Sequence, residues 1–247
     1  MSAAAFFTLY SNIPRLGPGS DACTREALKR LPTIPSSPRV VDLGCGTGRQ
    51  TLVLAEALRT RILAVDLHRP YLDQLEREAR ARNMDALIET RQADMGAMDL
   101  PAGSVDLLWS EGAIYHLGFG PGLRRWRPLL ARGGHVAVTE CTWLTEARPA
   151  EAVRFWAEGY PTMANIPENR ASAEAEGYEV VDTFPLPHSA WWDDYYAPLL
   201  QRVERLRPTA GAELREAFTF AEQETDLFRR HGDSYGYVFY LLRLRQP

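Results

Sequence analysis

The sequence predicts an α/β fold, a doubly wound and mostly parallel sheet, on three observations. Short apolar runs recur near 39–43, 61–66, 86–91, 104–109 and 134–141, each of strand length. Helical patterns near 49–58, 70–82 and 122–131 alternate with them, which returns successive strands in one direction. The first strand also runs straight into Asp42-Leu43-Gly44-Cys45-Gly46-Thr47-Gly48, a turn with glycine at every second position. Glycine lacks the Cβ that would hold a ligand away and permits positive φ, so main chain forms a pocket wall there. Open sheets of this kind bind ligands beyond the carboxyl ends of their strands.

In chain order, residues 24–31 read as a short helix and the Pro- and Ser-rich 32–38 as its linker. After the glycine turn, 49–58 places Leu52, Ala55 and Leu58, or Val53 and Ala57, on an inner face. A dinucleotide fingerprint, G-x-G-x-x-G, would need glycine where Arg49 stands; Gly48 falls one position early. The second strand ends on Asp66, about 20 residues beyond the glycines, where a carboxylate can accept from both hydroxyls of a ribose. An adenosine-containing ligand other than a nicotinamide dinucleotide follows. Gly133-Gly134 is expected to turn the third helix into the fifth strand, and further strands are expected at 179–184 and 237–244.

Composition sets the remaining bounds. A chain of 247 residues, 45% hydrophobic, has ample core to fold without staples. Its formal net charge of -4 disfavours a wide nucleic-acid surface. The cluster Arg124-Arg125-x-Arg127 reads as the solvated face of a helix whose other side carries Leu123, Trp126 and Leu129. Cys23, Cys45 and Cys141 are odd in number and far apart, so neither a disulfide framework nor a metal site is expected, and a reducing, cytoplasmic setting is the default. The opening ten residues are apolar but lack a basic start, and Asn12 and Pro14 follow, which fits neither a signal peptide nor a membrane span.

Four segments in order carry a resemblance. Val40-Val41-Asp42-Leu43-Gly44-Cys45-Gly46-Thr47-Gly48, Ala64-Val65-Asp66-Leu67, Gln92-Ala93-Asp94-Met95 and Val105-Asp106-Leu107-Leu108-Trp109-Ser110 resemble the class I S-adenosylmethionine-dependent methyltransferases across 39–141. The resemblance implies a Rossmann-like seven-stranded sheet, mostly parallel with an antiparallel last strand, carrying helical cap insertions. It implies S-adenosyl-L-methionine as cofactor and S-adenosyl-L-homocysteine as product. Asp42 would fix the loop and reach the cofactor's amino group, with Gly44, Cys45 and Gly46 along the methionine portion. Cys45 there is packing and not a nucleophile. Asp66 and Leu67 would take the ribose side, Asp94 the adenine amine with the Met95 amide facing a ring nitrogen, and Ser110 the end of the fourth strand. Arg15 and Tyr10 are weaker candidates for the carboxylate side. Plainer roles stay open: Asp94 as a solvated or N-capping carboxylate, Asp42 as a cap of the following helix. The expected organisation is one methyltransferase domain over 1–247, with a lid and helix in 1–38, the cofactor core in 39–141, and substrate caps at 142–166 and 186–235.

Both caps are rich in large rings: Trp143, Phe155, Trp156 and Tyr160 in the first, Trp191, Trp192, Tyr195 and Tyr196 in the second. Phe155, Trp156 and Phe218 read as the core of a helical cap. Adjacent residues on a helix cannot all face one core, so some rings of 191–196 are expected to border a cavity. Rings can exclude water, stack on an acceptor or hold a cation. A base is needed only when the acceptor carries a proton that must leave. His116, with an intrinsic pKa near 6.5, suits that task, although a histidine in a helical turn can equally bind the cofactor or cap a chain end. Glu111 is a candidate holder of the cofactor or a cationic acceptor, Glu140 could face the same space, and Tyr115 and Trp143 would be walls.

The segment after the fourth strand excludes several acceptors. It holds no Asn-Pro-Pro-Tyr or Asp-Pro-Pro-Tyr for planar amines and no Pro-Cys nucleophile, and after Glu111 no second glutamate precedes Arg124. A small organic acceptor at oxygen, nitrogen, carbon or sulfur remains, taken by a monomer or homodimer. Residues 109–119, 140–143, 148–151 and 235–240 are similar to bacterial stand-alone methyltransferases of the type 11 kind, in which 15–20 looks like a lid over the cofactor. That narrower likeness implies no acceptor. A protein or RNA methyltransferase and a non-catalytic cofactor-binding protein are the competing readings.

Overall fold

A computed structural model describes residues 2–245. Two helices, α1 (Ala3–Tyr10) and α2 (Asp21–Arg30), precede the sheet. The core then runs β1 (Val40–Leu43), α3 (Arg49–Leu58), β2 (Ile62–Asp66), α4 (Arg69–Ala81), β3 (Ile88–Gln92), β4 (Val105–Ser110), α5 (Phe119–Trp126) and β5 (Leu130–Trp143). Next come α6 (Ala150–Gly159), α7 (Ile166–Ala175) and β6 (Tyr178–Pro185), then α8 (Ser189–Trp191), α9 (Ala197–Leu206), α10 (Ala212–His231) and β7 (Tyr235–Leu244). The seven strands lie in the order β3-β2-β1-β4-β5-β7-β6, with β7 antiparallel to both neighbours. The chain builds outward from β1 to β3 and then returns to place β4 on the other side of β1. That reversal opens a crevice between the carboxyl ends of β1 and β4, where a doubly wound sheet takes its ligand.

Local chemistry explains the helices that frame the crevice. In α2, the Ser20 hydroxyl accepts from the Cys23 amide, Asp21 sits in the first turn, and Lys29 and Arg30 close the last, which complements the helix dipole at both ends. In α4, Tyr71, Leu72, Leu75 and Ala79 form one buried stripe behind a proline in the first turn. Ser2 caps α1 by accepting from the Ala5 amide, and that apolar opening segment packs on α9 and α10 as part of the cap. The two long insertions supply α6 and α8–α10. Their core buries Tyr196, Phe218 and Phe228 with Leu9 and Tyr10 of α1. Among the described residues no helix is long and apolar enough to cross a membrane.

Two boundaries differ from expectation near the fifth strand. The helix expected over 122–131 begins at Phe119 and ends at Trp126, two residues ahead of Pro128, which has no amide to continue the ladder. Gly133-Gly134 lies inside β5 instead of before it. The pairing with β4 jumps from Val105 with Leu130 to Leu107 with His135, so 131–134 form a bulge that Gly133 accommodates at φ 69°.

Candidate active site

A cavity of about 760 Å³ occupies the crevice. Its floor is the glycine turn, with φ of 70° at Gly44 and 55° at Gly46. A side chain at Gly44 would collide with the Ala113 methyl, so this position is held to glycine by packing as well as by conformation. The Gly44 and Cys45 amides both donate to the Val65 carbonyl at 2.9 Å, which fastens the turn to β2. The Gly46 amide donates to Asp66 Oδ2 at 2.9 Å and the His68 amide to Oδ1 at 2.8 Å. Two backbone donors thus fix the Asp66 carboxylate at the cavity wall, each oxygen keeping acceptor capacity for a ligand. Cys45 also lines the wall, and burial pushes its thiol well above the usual range.

Asp42 takes a different place from the one expected by resemblance. It is fully buried outside the cavity lining and accepts from the Thr51 hydroxyl at 2.6 Å and the Gln50 side-chain Nε2 at 3.4 Å, bracing the start of α3. Burial pushes its pKa up to about 7. Ser110 likewise lies behind the wall, its hydroxyl donating to the Leu43 carbonyl at 2.8 Å to join β4 to β1. Leu67, Asp94 and Met95 do line the cavity. Asp94 accepts from the Gly96 amide at 2.7 Å, and the Met95 carbonyl accepts from the Trp126 indole at 2.8 Å, so this loop is set by its own turn and by α5.

The segment before α2 closes over the glycine turn through buried charges. Arg15 donates to Glu111 Oε2 at 3.2 Å and to Asp21 Oδ1 at 3.1 Å, and Asp21 also accepts twice from Arg49. Glu111 further accepts from the Thr24 hydroxyl at 2.7 Å and the Trp109 indole at 2.9 Å. Both Glu111 oxygens are therefore occupied, and this residue latches the N-terminal segment to the end of β4. Arg15 lines the cavity and keeps a buried Nε with no hydrogen-bond partner.

Around the other end stand Tyr115 and His116, with ring centroids 4.0 Å apart, and both line the cavity. Burial lowers the His116 pKa, with Asp66 pulling the other way, so the ring is neutral at pH 7 and able to accept a proton. Burial first, and then Glu224 and Glu140, push Tyr115 up to about 12. Glu140 lies behind this wall, 2% exposed. Burial raises its pKa to about 8; Tyr160 offsets part of the rise, but neither carboxylate oxygen has a partner at hydrogen-bonding distance.

The remaining rings expected at the acceptor pack away from the cavity. Trp143 is buried in the cap core beneath Arg148, and Tyr160 packs against the same core beside Glu140. Trp191 stacks on Phe228 at 4.3 Å, and Trp192 carries the Arg229 guanidinium at 5.0 Å. The Tyr195 hydroxyl lies 3.4 Å from that of Tyr10, and the Tyr196 hydroxyl donates to Glu224 at 2.9 Å. Residues 192–196 form a π-helical turn, whose wider winding brings Trp191, Tyr195 and Tyr196 onto one buried side. Adjacent rings share a core here because the helix is not regular, and none of this run lines the cavity. Tyr10 is likewise in the cap core.

The profile of a methyltransferase domain matches residues 40–134. The chain is 30% identical to the trans-aconitate 2-methyltransferase of Azoarcus sp. (strain BH72) over 190 residues, covering 75% of this chain and 65% of that enzyme. It is 25% identical over 246 residues to the 27-O-demethylrifamycin SV methyltransferase of Amycolatopsis mediterranei (strain S699), covering 92% of this chain and 85% of the relative. A solved S-adenosylmethionine-dependent methyltransferase from Thiobacillus denitrificans, in complex with S-adenosyl-L-homocysteine, superposes with a TM-score of 0.81 at 21% identity and 99% coverage of each chain. Residues 40–134 thus match a methyltransferase domain, and the chain spans just under two thirds of the length of the Azoarcus enzyme.

The cavity also takes residues that the sequence did not single out, Phe7, His68 and Tyr71. Phe7 of α1 stacks face to face on His68 at 3.7 Å, with Tyr71 edge-on to both, and all three line the cavity beside Asp66. Leu16 reaches the glycine turn itself, near enough that a side chain at Gly46 would meet its Cδ1 at 2.9 Å. His68 was open to discovery, standing two residues past the acidic end of β2. Phe7 had no such local signal, and Leu16 had one only through the resemblance that makes 15–20 a lid, because both places depend on how the N-terminal segment folds back. The chemistry suits the cofactor: an oriented acid for ribose hydroxyls, a bare main-chain turn, and a guanidinium nitrogen still seeking an acceptor.

Proposed function

We propose that this protein is an S-adenosyl-L-methionine-dependent methyltransferase acting on a small organic molecule by in-line methyl transfer. The carrying observation is the pairing of the Asp66 carboxylate, fixed by the Gly46 and His68 amides, with an Arg15 that keeps an unpartnered buried Nε. Asp66 would accept from the ribose hydroxyls, Asp94 from the adenine amine, and Arg15 would take the carboxylate. The glycine turn would lie along the methionine portion. When bound, the cofactor supplies an electrophilic methyl on a sulfonium.

What the chain contributes is position, dryness and a proton acceptor. Leu16, Phe7 and Tyr71 exclude water from one side, and the Glu111 latch keeps the N-terminal segment over the turn. His116, neutral at pH 7 and at the cavity wall, would accept the proton of an acceptor hydroxyl or amine. The cavity volume lies in the upper part of the roughly 300–1,000 Å³ range of small-molecule sites. The activities of the two bacterial relatives, on trans-aconitate and on a demethylrifamycin, support a small acceptor. The arginine cluster on α5 argues against a nucleic acid, because Arg124 is taken up by Glu176 and Arg125 donates to the Gly96 carbonyl. Three unpaired cysteines suit a reducing, cytoplasmic setting.

The test is a labelled-methyl transfer screen against fractionated metabolite extract, with calorimetric titration of S-adenosyl-L-homocysteine on the same protein. Binding together with labelling of a small product is the expected result. Binding without transfer to any fraction would favour a non-catalytic binder, and absence of binding would remove the cofactor site.

A further inference from the structure

The charged groups that line the cavity are already committed. Among the described residues its guanidinium groups are those of Arg15 and Arg49, and both are tied to Asp21. In the proposed pose Asp66 serves the ribose and Asp94 the adenine, while Glu111 is filled by Arg15, Thr24 and Trp109. Much of the remaining wall is ring. Phe7 lies flat on His68, 3.7 Å between centroids and 3° between planes, and Phe6 next to it also lines the cavity. Tyr115 and His116 form a second pair, 4.0 Å apart and tilted by 34°.

Connectivity brings both pairs to the reacting end. The His68 amide is one of the two that hold Asp66, so the Phe7 pair begins at the ribose side. The His116 amide donates back to the Ala113 carbonyl at 3.1 Å, a tight turn that folds the second pair over the residue packed on Gly44. A sulfonium between methionine tail and ribose is therefore flanked by the two pairs. Leu67 and Tyr115, 66% and 41% exposed, line the same cavity, so its mouth opens beside these rings.

We propose that the methyl acceptor is an uncharged aromatic alcohol, a phenol, whose ring is taken between the Phe7–His68 and Tyr115–His116 pairs. This deepens the methyltransferase reading above and rests on it. Flat rings gain from offset or edge contacts with such walls, which a saturated ring of the same outline forgoes. A carboxylate would lose its water with no free guanidinium to receive it. An ammonium would approach a sulfonium of its own sign beside a wall whose carboxylates are already used.

A phenol also matches the base at hand. Its O–H bond breaks and the proton passes to the neutral His116 imidazole, while an oxygen lone pair bonds to the methyl carbon. The carbon–sulfur bond breaks in the same step, leaving its electron pair on sulfur. A phenol titrates at about 10, as tyrosine does, within a few units of an imidazole. An aliphatic hydroxyl, near water at about 15.7, lies far outside that reach.

The full chain loaded with S-adenosyl-L-homocysteine is titrated calorimetrically at pH 7 with 2-naphthol, decahydro-2-naphthol, 2-naphthoate and 2-naphthylmethylamine, which share one fused-ring outline. We expect 2-naphthol to bind about fivefold or more tightly than the saturated alcohol, and about tenfold or more tightly than either ion. Tyr115→Leu, which keeps an apolar wall without the ring, should cut the preference between the two alcohols by about threefold or more. In the labelled-methyl screen the product should absorb in the near ultraviolet, keep its label through mild alkali and pass a cation exchanger unretained, as an aryl ether does. Label released by alkali as methanol would mark a carboxylate acceptor, and label held on the exchanger an amine. Either result overturns the proposal, as would equal binding of the two alcohols, tighter binding of an ion, or a preference untouched in Tyr115→Leu. Absence of naphthol binding to the loaded protein strikes this proposal alone, whereas absence of heat for the nucleoside itself strikes the methyltransferase reading.

Discussion

At the Asp66 end of the cavity the carboxylate is held by two backbone amides from the neighbouring turn, whereas behind Tyr115 the Glu140 carboxylate has no partner. The first end is assembled from main chain within a short stretch of sequence and is complete before any ligand arrives. The second is assembled from β5, α6, α10 and the turn after β4, and it leaves polar groups unsatisfied. If that contrast is sound, the two ends respond separately to substitution.

The largest effect is expected in the cap. Phe228 is buried against Trp191 and also touches the Tyr196 and Tyr235 rings. Phe228→Ala should lower stability by about 3–5 kcal/mol, the range for truncating a buried aromatic, while affinity for S-adenosyl-L-homocysteine stays nearly unchanged in the protein that remains folded. Thermal melting and calorimetry read the two quantities. A parallel fall in cofactor affinity would show that cap and glycine turn are one cooperative unit.

Next comes the cofactor frame. Asp66→Ala should weaken cofactor binding by about 1–3 kcal/mol, the cost of losing charge-assisted hydrogen bonds to a ribose. It also frees the Gly46 and His68 amides, so part of the loss would come from a looser turn. Asp66→Asn separates the parts, since it keeps an acceptor oxygen and gives up the charge. Affinity unchanged in both variants would place the ribose elsewhere.

How far each end was legible follows the same division. The glycine turn and Asp66 are read from spacing, and Asp94 and Met95 from the resemblance, because their contacts are local: Asp94 turns onto Gly96, and Asp66 onto the residue two ahead. The strands themselves are legible for the same reason, each being a short apolar run closed by a turn, whereas their order in the sheet is set by contacts far apart in the chain. Asp42 and Ser110, which the resemblance assigns to the cofactor, are braces, because sequence tells which strand a residue ends and not whether its side chain passes in front of the wall or behind it. Glu111 is a latch because Thr24 and Arg15, 87 and 96 residues away, happen to return to it. The rings of 191–196 were beyond reach from periodicity, since a π-helical turn has neither the helical nor the strand repeat.

A pH series tests the unsatisfied end at a comparable scale. Burial raises Glu140 to about 8, and Asp42 and Glu224 to about 7, from ordinary values of 4.5 for glutamate and 3.8 for aspartate. Across that interval the folded chain keeps protons that the unfolded chain has lost. Stability should therefore be fullest at about pH 4.5 or below as regards these groups, and fall as pH rises toward 8. Glu140→Gln should flatten the fall between pH 5 and 8 by up to about 3 kcal/mol, with melting followed in matched buffers. An unchanged slope would mean that Glu140 is solvated or paired in solution, and the contrast between the two ends would weaken.

The smallest expected effect bears on what kind of acceptor the cavity serves. Arg124 is 70% exposed and pairs with Glu176 at 2.6 Å, on the outer face of α5 away from the cavity lining. Arg124→Ala should change stability by less than about 1 kcal/mol, as exposed ion pairs do, and leave methyl transfer to a small acceptor unaltered at any salt concentration. A macromolecular acceptor would instead use this face, the densest run of arginine in the sequence, for phosphate or acidic contacts. Transfer that fell with rising salt, and fell further in Arg124→Ala, would move recognition from the cavity to the surface. Salt-independent transfer in both proteins leaves the wall around Tyr115 as the place where the acceptor is chosen.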